Sequence, residues 1–347
     1  MTSIPRVLHL AGADSSAFYH DLSLVYAEEA FLPASMTHTF AVVEPDAGWR
    51  VGPSLAELGP PMTLSRFLAE LGPVDLVVPY MFDQRGMTSY RSFFEDIVGV
   101  PVVGSRAEVT TLATDKAMTK LIVAAAGVPV PRSHDPAGDD VTFPVIVKPN
   151  REDNSRGLSL VRSAAELPAA VERAAAFDAG VVVEQYLGGR ELRLAVVDQG
   201  DELYVPAMIE YAVSEDHPVR ELAHKLDVDA DGNPVSQTTS PAVAPVCPAP
   251  VTPDLRTQLV ELAIQAHQAL GCRHYSLFDV RLDPDSGRPH LLEAGLFWTF
   301  GRPSMITKMI AADGRDPEVV AERVWRSAMC GERRNGRVAG FAQSAIG

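Results

Sequence analysis

The stretch PVIVKPNREDNSRG, residues 144–157, constrains the fold more than any other part of the chain. Val145, Ile146 and Val147 are β-branched and suit a buried strand, and a second apolar run, LSLV, follows Gly157. Two apolar runs around a polar turn predict a β-hairpin. Lys148 closes the first run, where a buried stem can hold its ammonium in a cleft. The turn offers Asn154, Ser155 and backbone N–H groups to an anion. Taken alone, the stretch also fits an ordinary hairpin with a solvated lysine.

At 347 residues the chain has room for two or three domains. Its 46% hydrophobic and 22% charged residues are those of a globular protein. Forty-five acids against 30 bases give a formal net charge of −15, which disfavours a nucleic-acid partner. Anionic nucleotides are still admitted, because a basic cleft can sit in an acidic protein. Cys247, Cys272 and Cys330 are scattered, as expected of reduced thiols. No apolar run reaches membrane-spanning length and the N-terminal one is too short for a signal peptide. The expectation is a cytoplasmic protein with no membrane partner.

Residues 1–105 alternate strand and helix signals: strands at Val7–Leu10, His38–Val43, Val74–Val78 and Val100–Val103, helices at Ser16–Phe31, Leu64–Leu71 and Thr88–Ile97. That order predicts a parallel sheet of βαβ units. No G-x-G-x-x-G follows the first strand, so no dinucleotide site is expected there. Residues 106–187 predict a small α+β lobe: a helix from Thr114–Asp115 with Lys116 in its first turn, the hairpin, the helix Ala164–Ala175 and the strand Val181–Glu184. Residues 188–347 predict strands at Leu192–Val197, Tyr204–Ile209, His274–Leu282 and His290–Glu293, with helices at Pro253–Leu270, Ser304–Ala311 and Pro317–Ser327. The polar stretch 227–252 is long enough to be a lid, and the final GRVAGFAQSAIG has the composition of a loose tail.

On the strand to Leu282, Asp279 and Arg281 are two apart and share a face. Glu293 ends the neighbouring strand. Two carboxylates on paired strands make a hard-oxygen site suited to Mg²⁺. The alternative is an ion pair of Arg281 with Asp279 or Glu293 and no metal. If the lobes face each other, Lys116 and Lys148 would neutralise phosphate while the carboxylates hold the metal, as Mg·ATP requires. Glu184 and Glu191 could accept from adenine and ribose, or be plain surface charge.

Together these segments resemble the ATP-grasp enzymes, most closely their D-alanine–D-alanine ligase branch. The resemblance runs from about Val100 to Gly314. GVPVVGSRAEVTTLATDKAMTK is similar to the start of the family's central domain, with Lys116 at the first nucleotide lysine. PVIVKPNREDNSRG matches the strand and phosphate loop, with Lys148, Asn154 and Ser155 facing phosphate. VVVEQYLGGREL resembles the hinge, which implies adenine contacts from Glu184, Gln185 and Leu187 and a ribose contact from Glu191. Lys225 stands where the family often has a lysine reaching ATP phosphate. FDVRLDPDSGRPHLLEA resembles the metal hairpin, with Asp279 and Glu293 as ligands. Ser304 lies eleven residues after Glu293, as does a family serine that holds a substrate carboxylate. Arg302, beside it, is a candidate for the same carboxylate, or a solvated loop arginine.

The resemblance implies a three-domain α/β and α+β fold, with an N-terminal parallel βαβ domain and ATP held between two α+β lobes. It implies ATP and Mg²⁺ (or Mn²⁺), a second metal bridged by Glu293, small amino-acid-like substrates and a homodimer. The implied reaction forms an amide through an acyl phosphate.

The departures fall on the substrate side. The metal hairpin usually ends Glu-x-Asn, and here it reads Glu293–Ala294–Gly295. Leu277 replaces the arginine two residues before the metal aspartate, so Arg281 is the candidate for the oxyanion. Asn154–Ser155 stand for paired serines and Leu226 for a tyrosine. No counterpart of the glutamate that grips the first D-alanine occurs near Ala11–Ser23. Ligation of other substrates, in specialised metabolism, is therefore expected. The alternatives are the wall-building D-alanine–D-alanine ligase and a non-catalytic nucleotide-binding protein. A further group, Tyr80, Phe82, Tyr90, Arg85 and Arg91 with Phe297, Trp298 and Phe300, lines a substrate pocket or fills the core.

Overall fold

A computed structural model describes residues 4–135, 140–152, 155–220, 226–228, 234–237 and 243–330. The tail lies outside these residues, as do Asn154, Lys225 and residues 229–233 and 238–242 of the expected lid.

The first unit holds β1 (Arg6–Gly12), α1 (Ala17–Glu28), β2 (Thr37–Val43), β3 (Trp49–Gly52), α2 (Leu64–Glu70) and β4 (Leu76–Pro79). Strand order is β3-β2-β1-β4. β1 pairs parallel with β2 and β4, as the alternation of signals requires. Two differences from the expectation have local causes. β3 turns back antiparallel on β2 through a tight turn in which Ala47 takes φ +64°. Val102 makes only a single parallel bridge to Val77, so Val100–Val103 is not a full strand. The expected helix Thr88–Ile97 is also broken, into α3 (Gln84–Met87), α4 (Ser89–Ser92) and a π turn, Phe93–Val98. The break is at Thr88, whose backbone (φ −123°, ψ −80°) is not helical.

α5 (Ala107–Thr114) and α6 (Lys116–Ala125) follow. Asp115 separates them and caps α6, its carboxylate accepting from the Met118 N–H at 2.9 Å. The chain is thus helical earlier than its cap signal alone indicates. Next come β5 (Ser133–His134), β6 (Val145–Pro149), β7 (Ser159–Val161), α7 (Leu167–Ala175) and β8 (Val181–Gln185). They form an antiparallel sheet of order β5-β8-β6-β7. The predicted hairpin is β6–β7. Val145, Val147, Val161 and Val183 bury one face against Ala170 and Ala174 of α7. Burial of each such valine stabilises by roughly 1.5–3 kcal/mol.

The third sheet is built from β9 (Glu191–Asp198), β10 (Leu203–Tyr204), β11 (Ile209–Tyr211), β14 (Pro245–Val246), β15 (Tyr275–Leu282) and β16 (Pro289–Gly295). Its order is β14-β11-β9-β15-β16, with β10 beside β9. Between β11 and β14, β12 (Leu226–Val228) and β13 (Pro234–Gln237) pair with each other. Pro206, which has no N–H to give a ladder, separates β10 from β11 where one strand was expected. The helices are α8 (Pro253–Ala269), α9 (Met305–Ala312) and α10 (Pro317–Met329). One face of the sheet (Leu192, Leu194, Val196, Phe278, Val280) packs on Leu259, Leu262 and Ala266 of α8 and on Val123 of α6. Alternation then sends Glu191, Arg193, Asp279 and Arg281 to the other face, into a cleft. No helix among the described residues is long and apolar enough to cross a membrane.

Candidate active site

Two cavities open on that cleft. The smaller, about 80 Å³, is walled by Lys148 and Ile146 of β6, Glu184 and Gln185 of β8, Leu187, Leu292 and the Ser155–Arg156 turn. Its floor is a buried ionic triad. Glu184, 2% exposed, contacts the Lys148 ammonium through Oε1 at 2.5 Å and the Lys120 ammonium through Oε2 at 2.5 Å. Strand pairing sets this up: β6 and β8 are adjacent, and α6 leans Lys120 in from the side. Burial alone would raise the Glu184 carboxyl, but the two ammonium groups overcome it and hold Glu184 below the usual carboxylate range. Burial lowers Lys120. Burial also acts to lower Lys148, but Glu184, Glu293 and Asp279 outweigh it and raise that ammonium. Lys148 therefore stays charged in the cleft. Lys116 donates to the Glu152 carbonyl at 2.5 Å and lines both cavities.

Each Glu184 oxygen contacts one lysine, and the residue still lines the smaller cavity where the expectation placed adenine. Glu191, which lines the same cavity, is held by the guanidinium groups of Arg220 and Arg281. Burial would raise its carboxyl, and the two arginines lower it instead. Arg281 lines the smaller cavity too. Its three nitrogens go to Glu191 at 2.7 and 2.9 Å, the Leu187 carbonyl at 2.8 Å and the Pro218 carbonyl at 2.6 Å. It braces the hinge and pairs with neither Asp279 nor Glu293.

Asp279 and Glu293 face each other across β15 and β16. Asp279 accepts two 2.6 Å bonds from Nε and Nη2 of Arg193, which lies opposite it on β9, and a 3.4 Å bond from Arg220. Burial opposes the charge on Arg193, but Asp279 raises its pKa well above the ordinary value. The backbone of Glu293 belongs to this ladder, while its carboxylate makes no hydrogen bond or ion pair with any described residue. A carboxylate offers about four lone-pair sites, so the pair fits one Mg²⁺ that takes its remaining positions from water and phosphate. Among the described residues no three His, Cys, Asp or Glu side chains cluster as a metal cage. Gly295 supplies no side-chain oxygen for a second ion.

The larger cavity, about 500 Å³, runs from this junction to the first unit. Arg193, Ser304 and Thr299 line it on one side and Tyr19, Tyr26, Phe82 and Asp83 on the other. Ser304 precedes α9 and is buried. Arg302 is exposed and lines neither cavity. The aromatic group divides. Phe82 and Phe297 line the cavity, whereas Tyr80, Trp298 and Phe300 are fully buried core. Arg91 is core too, donating to the Val103 and Ser105 carbonyls.

Lys120, Arg193 and Arg220 were missed from sequence. The only signal was parity: Arg193 is two residues after Glu191 and so shares its face.

A family model described as the D-ala D-ala ligase C-terminus matches residues 133–324. A D-alanine–D-alanine ligase of Ralstonia nicotianae is 33% identical over 203 residues, 56% of this chain and 57% of that protein. The chain thus spans a little over half the length of that curated relative. Among solved structures it is similar to the VanG D-Ala:D-Ser ligase from Enterococcus faecalis, with TM-score 0.74 and 21% identity over 94% of this chain and 100% of that one. The D-alanine–D-alanine ligase from Coxiella burnetii gives TM-score 0.71 and 18% identity, covering 94% of each chain. The matched segment holds both lysine-bearing and carboxylate-bearing hairpins, and the chain belongs to the D-alanine–D-alanine ligase family of ATP-grasp folds.

Proposed function

We propose that the chain is an ATP-dependent, ADP-forming carboxylate–amine ligase acting on small amino-acid-like substrates, in specialised metabolism rather than wall synthesis. One observation carries this reading: Lys116, Glu152, Arg220, Asp279 and Glu293 line both cavities. A triphosphate in the smaller cavity would present its terminal phosphate at the wall shared with the larger one.

In this reading the nucleotide lies against Ile146, Leu187 and Leu292, next to the Gln185–Leu187 backbone. Lys116 and Lys148 hold its phosphates, with Ser155 and the flanking loop over them. Lys225 and Asn154 keep the phosphate role that the resemblance gives them. A substrate carboxylate attacks the γ-phosphorus and ADP leaves, giving an acyl phosphate. The amine of the second substrate, having lost its proton, attacks the carbonyl carbon, and collapse of the tetrahedral adduct expels phosphate. A divalent ion at Asp279 and Glu293 would supply charge neutralisation for phosphoryl transfer. Arg193 takes the oxyanion role first given to Arg281, because Nε and Nη2 go to Asp279 while Nη1 remains for substrate. Ser304 receives a substrate carboxylate. The units 1–105, 106–187 and 188–347 are the working division, and a cytoplasmic homodimer the working state.

The names of the relatives favour a second reading, the wall-building D-alanine–D-alanine ligase. The arginines on Asp279 are what would support a third, a nucleotide binder without turnover. ADP release from purified protein against L- and D-amino acids, with mass detection of products, tests all three. Release driven by D-alanine alone would select the second, and nucleotide binding without release under any substrate would select the third.

A further inference from the structure

Asp83 lines the larger cavity. It is 3% exposed, and its Oδ1 accepts from the Gly86 N–H at 3.1 Å, capping α3. Its Oδ2 is buried and has no hydrogen-bond partner among the described residues. Other acids that line the cavity are placed differently: Asp279 is paired, and Glu152 and Glu293 belong to the wall shared with the smaller cavity. A buried, half-satisfied carboxyl at a cavity wall is a receptor for a cationic donor. Thr299 Oγ1, in the same cavity, is also buried without a partner.

Beside Asp83 the wall is aromatic. The Phe82 ring lies 4.8 Å from Tyr26 at 67° and 4.7 Å from Phe297 at 55°, and Tyr19 meets Phe82 edge-on at 6.2 Å. Phe82, Tyr19 and Phe297 are only partly buried, so their rings still have surface to give. Offset and edge contacts of this kind extend readily to one more ring. The cavity volume of about 500 Å³ falls in the ~300–1,000 Å³ range of pockets that enclose drug-sized ligands. Alanine, with a single methyl, would leave both the rings and most of that space unfilled.

We infer that one of the two substrates is an α-amino acid with an aromatic side chain. Its ring packs among Tyr19, Tyr26, Phe82 and Phe297, and its ammonium is bound by Asp83 Oδ2. The inference rests on the ligase reading for what happens next, but not for binding itself.

The test uses calorimetry on the full chain with phenylalanine and tyrosine in both enantiomers, alanine, and 3-phenylpropanoate, which keeps the ring and lacks the amine. The expected result is binding of an aromatic amino acid at least tenfold tighter than alanine, and at least tenfold tighter than 3-phenylpropanoate. Asp83→Asn keeps a capping oxygen for α3 and should abolish the preference for the amine. Phe297→Ala should weaken the aromatic ligand at least tenfold with the amine preference retained. Alanine binding as tightly as phenylalanine, or 3-phenylpropanoate matching it, overturns the inference. A parallel titration with Mg·ATP separates the two ideas. Absence of heat there defeats the ligase reading alone, whereas nucleotide binding with ADP release driven only by alanine defeats the aromatic substrate alone.

Discussion

The smaller cavity is walled by charge, and the larger shares part of that charged wall but adds a cluster of rings. In the smaller, Glu184 holds Lys120 and Lys148, and Glu191 holds Arg220 and Arg281, before any ligand arrives. Its cations are fixed in place by neighbouring strands, so a polyanion meets groups whose ordering was completed on folding. In the larger, the wall is gathered from α1, the segment after β4 and the segment after β16. Its selectivity therefore depends on how the first unit sits against the third sheet.

Four experiments press on that contrast. The largest effect is expected from Lys148→Met, which removes the fixed cation. ADP formation should fall by about 10²–10³-fold, and a fall under fivefold would mean the triad is only structural. Glu184→Gln leaves two buried ammonium groups facing each other. It should cost about 3–5 kcal/mol in urea unfolding, and a loss below 1 kcal/mol would show that water reaches the triad.

Acid comes next. Burial lowers His267 to about 4 and His274 to about 3 from an ordinary 6.5. The unfolded chain takes up these protons first, so stability is complete above about pH 6.5 and is lost as pH falls toward the folded values. Unfolding free energy should drop by a few kcal/mol between pH 7 and 5 at about 1.4 kcal/mol per unit per histidine. Neither residue lines a cavity, so Mg·ATP affinity of the folded protein should change much less over that range. Parallel changes would tie the cleft to this core. The smallest effect belongs to Arg302→Ala, exposed and outside both cavities: within about 0.5 kcal/mol in stability and twofold in turnover. A larger loss would return Arg302 to the substrate side.

Much of the charged cleft was legible in sequence because its carriers sit at the ends of apolar strands. Lys148, Asp279 and Glu293 each interrupt or close such a run, and strand pairing brings them to one cleft. What could not be read was which charge neutralises which. Glu184 and Arg281 sit on predicted strands, yet their partners, Lys120 and Glu191, depend on how a helix leans and how strands are ordered. The breaks at Thr88 and Pro206 illustrate the same limit: the proline was readable as a missing donor, the threonine's backbone was not. The aromatic wall was half legible, since Phe82 and Phe297 stand in ring-rich segments but share those segments with core residues.

The ladder between β15 and β16 slips between Asp279 and Val280: Asp279 opposes Glu293 while Val280 opposes Leu291. Leu292 is the surplus residue. Plain two-residue alternation from Leu291, which is core, would aim Glu293 inward at α8. The extra step instead lets two successive side chains, one oily and one acidic, look out on the same side, and both line the smaller cavity. Excising Leu292 would restore regular pleating with Glu293 still opposite Asp279. A change in length at this one point would thus alter the apolar wall of the smaller cavity while the two carboxylates keep their pairing.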